Sequence, residues 1–298
     1  MLEDFVRCAE CAVEELAWIR ISLVRGLTFA HVAALLRAFD LPEDIFAMPV
    51  HAVAKVIGSD LAVELMSVEN ETRAREILQW LRDTPEASLM TFADPDYPEN
   101  LKRCGTPPVV LYLRGKRELL GKPLVAVIGS DYADTQGLED ARNFTRALVG
   151  RGFGVVTDLW NDLACEVTKT ALLTKGGGGL VAVSAIGSDN VYPVQAREGG
   201  VRALQEGVIV SLLPPGEIRT KEGGTAQQFV MLALVSKILV VQAEQGSRTE
   251  TSARMAGEMG ADIFAIPGSI HSTLYKGCHR LIRDGAVLTE SLREITQE

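Results

Sequence analysis

Four segments of this chain carry residue types that could hold an anion. Gly129-Ser130-Asp131 follows the apolar run Leu124–Ile128, Gly187-Ser188-Asp189-Asn190 precedes Tyr192-Pro193, and Gly246-Ser247-Arg248-Thr249 follows the run Ile238–Val241. A turn of this kind at a helix start leaves backbone N–H groups unpaired at the positive end of the helix dipole, which suits phosphate or carboxylate. The third turn adds a hydroxyl and a guanidinium to those amides and is the best anion site of the three, although Ser or Thr there is also an ordinary N-cap. The first falls short of Gly-x-Gly-x-x-Gly, and a carboxylate at Asp131 would repel a phosphate. Asp189 is read most simply as making an Asx turn. In the fourth segment Lys276, Arg280 and Arg283 share one helical face, flanked by His279, while Leu274, Cys278, Leu281 and Ile282 share the opposite face from about Ser272 onward. A solvated face accounts for that basic stripe as well as a phosphate contact does.

Hydrolytic chemistry has no footing here. The sequence contains no Gly-x-Ser-x-Gly elbow, no His-Glu-x-x-His and no Gly-x-x-x-x-Gly-Lys-[Ser/Thr]. His271, Cys278 and His279 are metal-ligand types, but His279 falls on the basic flank away from Cys278; Cys8-x-x-Cys11 has no second pair. No cofactor, metal or catalytic residue is expected.

The candidate loops need a scaffold, and the pattern of apolar residues supplies one. Short β-branched runs recur at Leu124–Ile128, Val155-Val156, Leu180–Val183, Val208–Val210, Ile238–Val241 and Ile263–Ile266, with helical segments between them. Strands this apolar are buried on both faces, and their alternation with helices predicts βαβ units and a mostly parallel sheet covered on both sides. Gly176–Gly179 reads as a flexible helix-to-strand turn. Residues 10 to 84 instead show helical spacing, as in Leu16, Ile19 and Leu23 and again in Val32, Leu35, Leu36 and Phe39. Proline-rich turns at Asp94–Pro98 and Thr106–Pro108 separate the two patterns. The expected organisation is a small helical domain over 1–90, a linker and first strand region over 91–115, and an α/β domain over 116–298.

Composition narrows the class further. The apolar fraction is 47% and the charged fraction 23%, ordinary for a globular protein. The longest apolar stretch, Phe229–Val241, contains Lys237 and falls short of the roughly 18 to 20 residues of a membrane span. Met1-Leu2-Glu3-Asp4 carries acid where a secretory signal would carry base, and five sparse cysteines fit a reducing compartment, so a cytoplasmic location is expected. The net charge is −9, most of it in the first third, so any contact with nucleic acid must be local.

Longer motifs point to a family. Asp94–Pro98, Pro107–Tyr112, Gly129-Ser130, Asp189 with Tyr192-Pro193, Ser211 with Pro214-Pro215-Gly216, and above all Phe264–His271 with Lys276–His279 and Leu281–Leu288 resemble the DprA/Smf DNA-processing proteins from about residue 15 onward. That resemblance implies a sterile-alpha-motif-like helical domain followed by an extended Rossmann-like domain. It also implies single-stranded-DNA binding in natural transformation, homodimerisation through the Rossmann-like domain, and loading of a RecA-type recombinase, with no enzymatic activity. The nucleic-acid-binding residues it suggests are Gly129, Ser130, Gly187, Ser247, Arg248, Thr249, Lys276, His279, Arg280 and Arg283. The winged-helix-like C-terminal domain of many members is expected to be missing.

This chain departs from the family pattern at the DNA pocket. Asp131 stands where the family has Arg, Thr157–Ala164 replaces Ser-Gly-x-Ala-x-Gly-Ile-Asp, Gln228-Phe229-Val230 replaces Arg-Asn-Arg, and Ser247–Ser252 replaces Ser-Gly-Ser-Leu-Ile-Thr. Arg248 returns one of the lost charges. Because phosphate contacts dominate such binding, these changes are expected to lower affinity by orders of magnitude. Two other readings stand beside the DNA-binding one: an interaction scaffold that keeps the fold without binding DNA, and a nucleotide phosphoribohydrolase-like enzyme, whose Pro-Gly-Gly-x-Gly-Thr loop is absent.

Overall fold

The computed structural model describes residues 2–189, 206–218 and 221–296. They form two compact units, residues 1–97 with 105–112, and residues 98–104 with 113–298.

The first unit opens with six helices, α1 (Leu2–Ser22), α2 (Phe29–Phe39), α3 (Pro42–Ala47), α4 (Val50–Ile57), α5 (Ser59–Leu65) and α6 (Val68–Asp83). Local signals set their starts. Thr28 and His31 exchange hydrogen bonds as a reciprocal cap of α2, Pro42 begins α3, and Ser67 accepts from Asn70 N at the start of α6. Trp18, Ile19, Leu35, Ile45, Val53, Leu65 and Ile77 pack into one core. Inside it Arg20 donates to Asn70 Oδ1 and Leu65 O, lies 3.9 Å over the Phe46 ring, and reaches Glu71 at 3.6 Å. Burial pushes its pKa down, and the Glu71 carboxylate opposes that shift. Strand β1 (Ala87–Thr91) closes the stretch read from the sequence as all-helical, and β2 (Val110–Gly115) follows within the proline-flanked stretch. Tyr112 of β2 joins this core, its hydroxyl 2.7 Å from Ser22 Oγ.

The second unit holds α7 (Glu99–Arg103), β3 (Leu124–Ile128), α8 (Thr135–Gly150), β4 (Gly154–Thr157), α9 (Asp162–Leu173), β5 (Gly179–Ser184), β6 (Val208–Ser211), α10 (Lys221–Ala233), β7 (Lys237–Val240), α11 (Arg248–Glu258), β8 (Asp262–Ala265), α12 (Lys276–Arg283), β9 (Val287–Leu288) and α13 (Leu292–Thr296). The strands run β6-β5-β4-β3-β7-β8-β9, every pair parallel. The mostly parallel α/β sheet expected from the apolar runs is therefore present. Val125, Val155, Leu180 and Leu239 face α8 and α9, while Val240 and Ala265 face α11 and α12. Gly176–Gly179 joins α9 to β5, the helix-to-strand turn expected; a Cβ on Gly178 would run into Phe153 O and one on Gly176 into Val149 O, so these glycines permit close backbone approach. Among the described residues no helix is long and apolar enough to cross a membrane.

Candidate functional site

The chain lays β4, β5 and β6 on one side of β3 and then returns to place β7 on the other. Such a reversal opens a crevice at the carboxyl ends of the strands, where open α/β sheets bind ligands. Three loops meet there, after β3, β4 and β7.

Thr249 Oγ1 donates to Gly129 O at 2.8 Å, joining the β7 loop to the β3 loop. Arg248, the first residue of α11, reaches Asp131 at 3.4 Å and Asp158 at 3.5 Å. Asn161 caps α9 by accepting from Ala164 N at 2.7 Å, and its Nδ2 donates to Asp131 Oδ1 at 2.9 Å. Asp158 is buried and accepts from Trp160 N at 3.1 Å. Burial pushes the Asp158 carboxyl above its ordinary range; Arg248 and the Trp160 amide pull it back, and Asp131 adds to the rise. The cleft is lined by Gly129, Asp158, Asn161, Gln228, Arg248 and Thr249 among others.

Other residues proposed from the sequence are placed differently. Ser130 is fully buried, donating to Glu244 Oε1 at 2.6 Å and accepting from Tyr132 N at 2.9 Å. Ser247 is the N-cap of α11, accepting from Glu250 N at 3.2 Å. Gly187 lies off the cleft, its amide donating to Glu217 O at 3.0 Å, and Asp189 accepts from Gly216 N at 2.8 Å. Asn190, Tyr192 and Pro193 fall outside the described residues. The basic helix begins at Lys276 after a 3₁₀ turn at Thr273–Tyr275, later than the start near Ser272 read from the sequence. At Gly277 only a residue without a Cβ fits against Ala243 O and Glu244 O. On α12, Lys276 donates to Ile270 O, His279 Nε2 lies 3.0 Å from Gly268 O, and Arg280 reaches Glu250 at 3.6 Å. Arg283 is exposed and makes no ion pair among the described residues. The structure thus joins Gly129, Arg248 and Thr249 in one cleft, and no α12 residue lines it.

Several organising residues escaped the sequence reading. Asp134 caps α8 through Gly137 N at 2.8 Å and pairs with buried Gln242, whose Nε2 donates to it at 2.8 Å. Glu250, 3% exposed, accepts from Gly246 N at 2.6 Å and from Arg254 at 3.0 Å. The Ser247-x-x-Glu250 spacing is a capping-box signal that could have found Glu250. Gln242 and Glu244 have no local signal.

Residues 88–298 match the protein family described as DNA recombination-mediator protein A. This chain belongs to that family. The DNA processing protein DprA of Streptococcus pneumoniae is 31% identical over 205 residues, 69% of this chain and 72% of that protein. Protein Smf of Synechocystis sp. is 28% identical over 286 residues, 93% of this chain and 71% of that protein. The X-ray structure of the S. pneumoniae DprA superposes with a TM-score of 0.79 at 26% identity, covering 96% of this chain and 97% of that one. DNA processing protein A of Helicobacter pylori, solved for its single-stranded-DNA-binding mode, matches with a TM-score of 0.63 at 21% identity over 71% of this chain and 94% of that one, a likeness of fold. This member of the recombination-mediator A family therefore combines a parallel sheet with a cleft whose lining arginine, Arg248, is held by two carboxylates.

Proposed function

We propose that this chain is a non-enzymatic, single-stranded-DNA-binding recombination mediator of DNA uptake and natural transformation, with DNA affinity weakened by its acidic cleft. In this reading residues 1–90 form the helical domain, 91–115 the linker and first strand region, and 116–298 the Rossmann-like domain. It works in the cytoplasm as a homodimer through the Rossmann-like domain and passes DNA to a RecA-type recombinase. Membership of the family across residues 88–298 carries the reading. The binding mode of the H. pylori protein supports the ligand class. The engagement of Arg248 by Asp131 and Asp158 supports the lowered affinity.

The test is a salt-titrated binding assay with labelled oligo-dT and a mononucleotide control. The expected result is oligo-dT binding whose log affinity falls by about 0.7 per phosphate contact for each decade of salt, giving a shallow slope here. No binding would favour the interaction scaffold, and turnover of the mononucleotide would favour the enzymatic reading.

A further inference from the structure

Arg248 is gripped by two unlike partners. Its Nη2 lies 3.4 Å from Asp131 Oδ1 and 3.5 Å from Asp158 Oδ2. The Arg248 and Asp131 side chains are each 42% exposed, whereas that of Asp158 is only 12% exposed. An ion pair in solvent is worth little, because water and salt screen it, so an incoming anion can take the place of Asp131 at small cost. The buried partner is different: a desolvated carboxylate left without its cation is expensive. Asp158 therefore decides whether Arg248 can leave. The other charged and titratable groups about it are few. Asp131 faces it from the loop after β3, and α9 brings exposed Asp162 and the Cys165 thiol, which burial and these carboxylates push up. From α10 the cleft receives neutral Gln227, Gln228 and Met231.

We infer that Asp158, Asp131 and Arg248 form an acid-released lock, in which ionised Asp158 withholds Arg248 from external anions and a proton on Asp158 frees the guanidinium for a phosphate group. The consequence for DNA rests on the proposed function; the lock itself does not. Burial outweighs the pull of Arg248 and of the Trp160 amide and holds the Asp158 carboxyl above its ordinary range, so the proton arrives in milder acid than an exposed aspartate needs. Neutral Asp158 can still accept from Trp160 N through Oδ1, so that bond survives protonation. The coupling is reciprocal. A phosphate beside Arg248 places negative charge next to Asp158 and strengthens its hold on the proton, so binding takes up a proton.

The experiment uses phenylglyoxal, a dicarbonyl that adds to accessible guanidinium groups, on the full chain. Modification of Arg248 is read relative to exposed Arg283 as pH falls from about 8 to about 5, above the ~3.9 of a free aspartate. The ratio is expected to rise towards acid in the parent and in Asp131→Asn, and to be high at every pH in Asp158→Asn. A flat ratio in the parent overturns the lock, independently of any folding defect in the variants. A pH dependence lost in Asp131→Asn but kept in Asp158→Asn overturns it as well. Affinities for oligo-dT and for inorganic phosphate at fixed ionic strength then show what the released arginine takes. One linked proton predicts a gain of at most about tenfold per pH unit in the parent, which Asp158→Asn lacks. A rising ratio without any oligo-dT binding supports the lock and overturns the DNA-binding function, with a gain for inorganic phosphate alone marking a free anion as the occupant.

Discussion

Two regions of the second unit gather arginines, and they use them differently. At the cleft, Arg248 stands at a helix N-terminus over the carboxyl edge of the sheet, but Asp131 and Asp158 lie within 3.5 Å of its guanidinium. On α12, Arg280 is drawn toward buried Glu250, while Arg283 projects into solvent without an ion pair among the described residues. In sequence the cleft is the better anion site, with glycines, hydroxyls and an arginine together. In space its arginine is already engaged, and the face that looked like ordinary surface keeps the less encumbered charge. Residue types nominate a site, and the partners within about 4 Å decide what it attracts.

The strongest test of this contrast is Glu250→Ala, because Glu250 joins α11 to α12. Losing its bonds to Gly246 N and Arg254, together with the Arg280 contact, should lower stability by on the order of 2 to 4 kcal/mol, read as a shift of the urea midpoint at unchanged slope. A loss below about 1 kcal/mol would show that Arg280 is no more restrained than Arg283. Next in size is Asp131→Arg, which removes one carboxylate from Arg248 and adds a cation. Oligo-dT binding at low salt should strengthen by on the order of 1 to 4 kcal/mol per charge change, with the gain shrinking as salt rises. No gain would mean that the cleft contributes nothing to DNA binding.

Neutralising Lys276, Arg280 and Arg283 to Gln together tests the other region. Because Lys276 and Arg280 are already engaged within the fold, the salt slope of oligo-dT binding should fall by about 0.7, the value for one contact, rather than three times that. The smallest effect concerns pH. Burial raises the Asp158 pKa, so the folded state holds that proton more tightly than the unfolded chain does. Its contribution to stability therefore declines as pH rises from the ordinary carboxylate range through the raised folded value, and is level above it. Asp158→Asn should flatten that decline in unfolding temperature against pH, and an unchanged profile would place the titration elsewhere.

Six of the strands were legible because runs such as Leu180–Val183 and Ile238–Val241 are apolar on both faces, a property local to each run. Strand β1 falls at the end of the stretch read as helical, and β2 lies in the 91–115 region expected to hold the linker and first strand, where the prolines hid its bounds. Two-residue β9 is too short to carry a period and forms only by pairing with Phe264 and Ala265. At the site, the capping residues were readable in part, since Ser247 was recognised as an ordinary N-cap. The pairing of Asp134 with Gln242, 108 residues apart, was not.

By itself the sequence determined six of the strands and the helical segments between them, that the sheet is mostly parallel, and the family to which its motifs lead, because periodicity, capping and turn chemistry act between residues a few positions apart. Only the tertiary structure decided that β7 lies beside β3 and β4 on its other side. That order brings Arg248 to Asp131, 117 residues away, and to Asp158. Ion pairing depends on distance through space, which no spacing along the chain encodes.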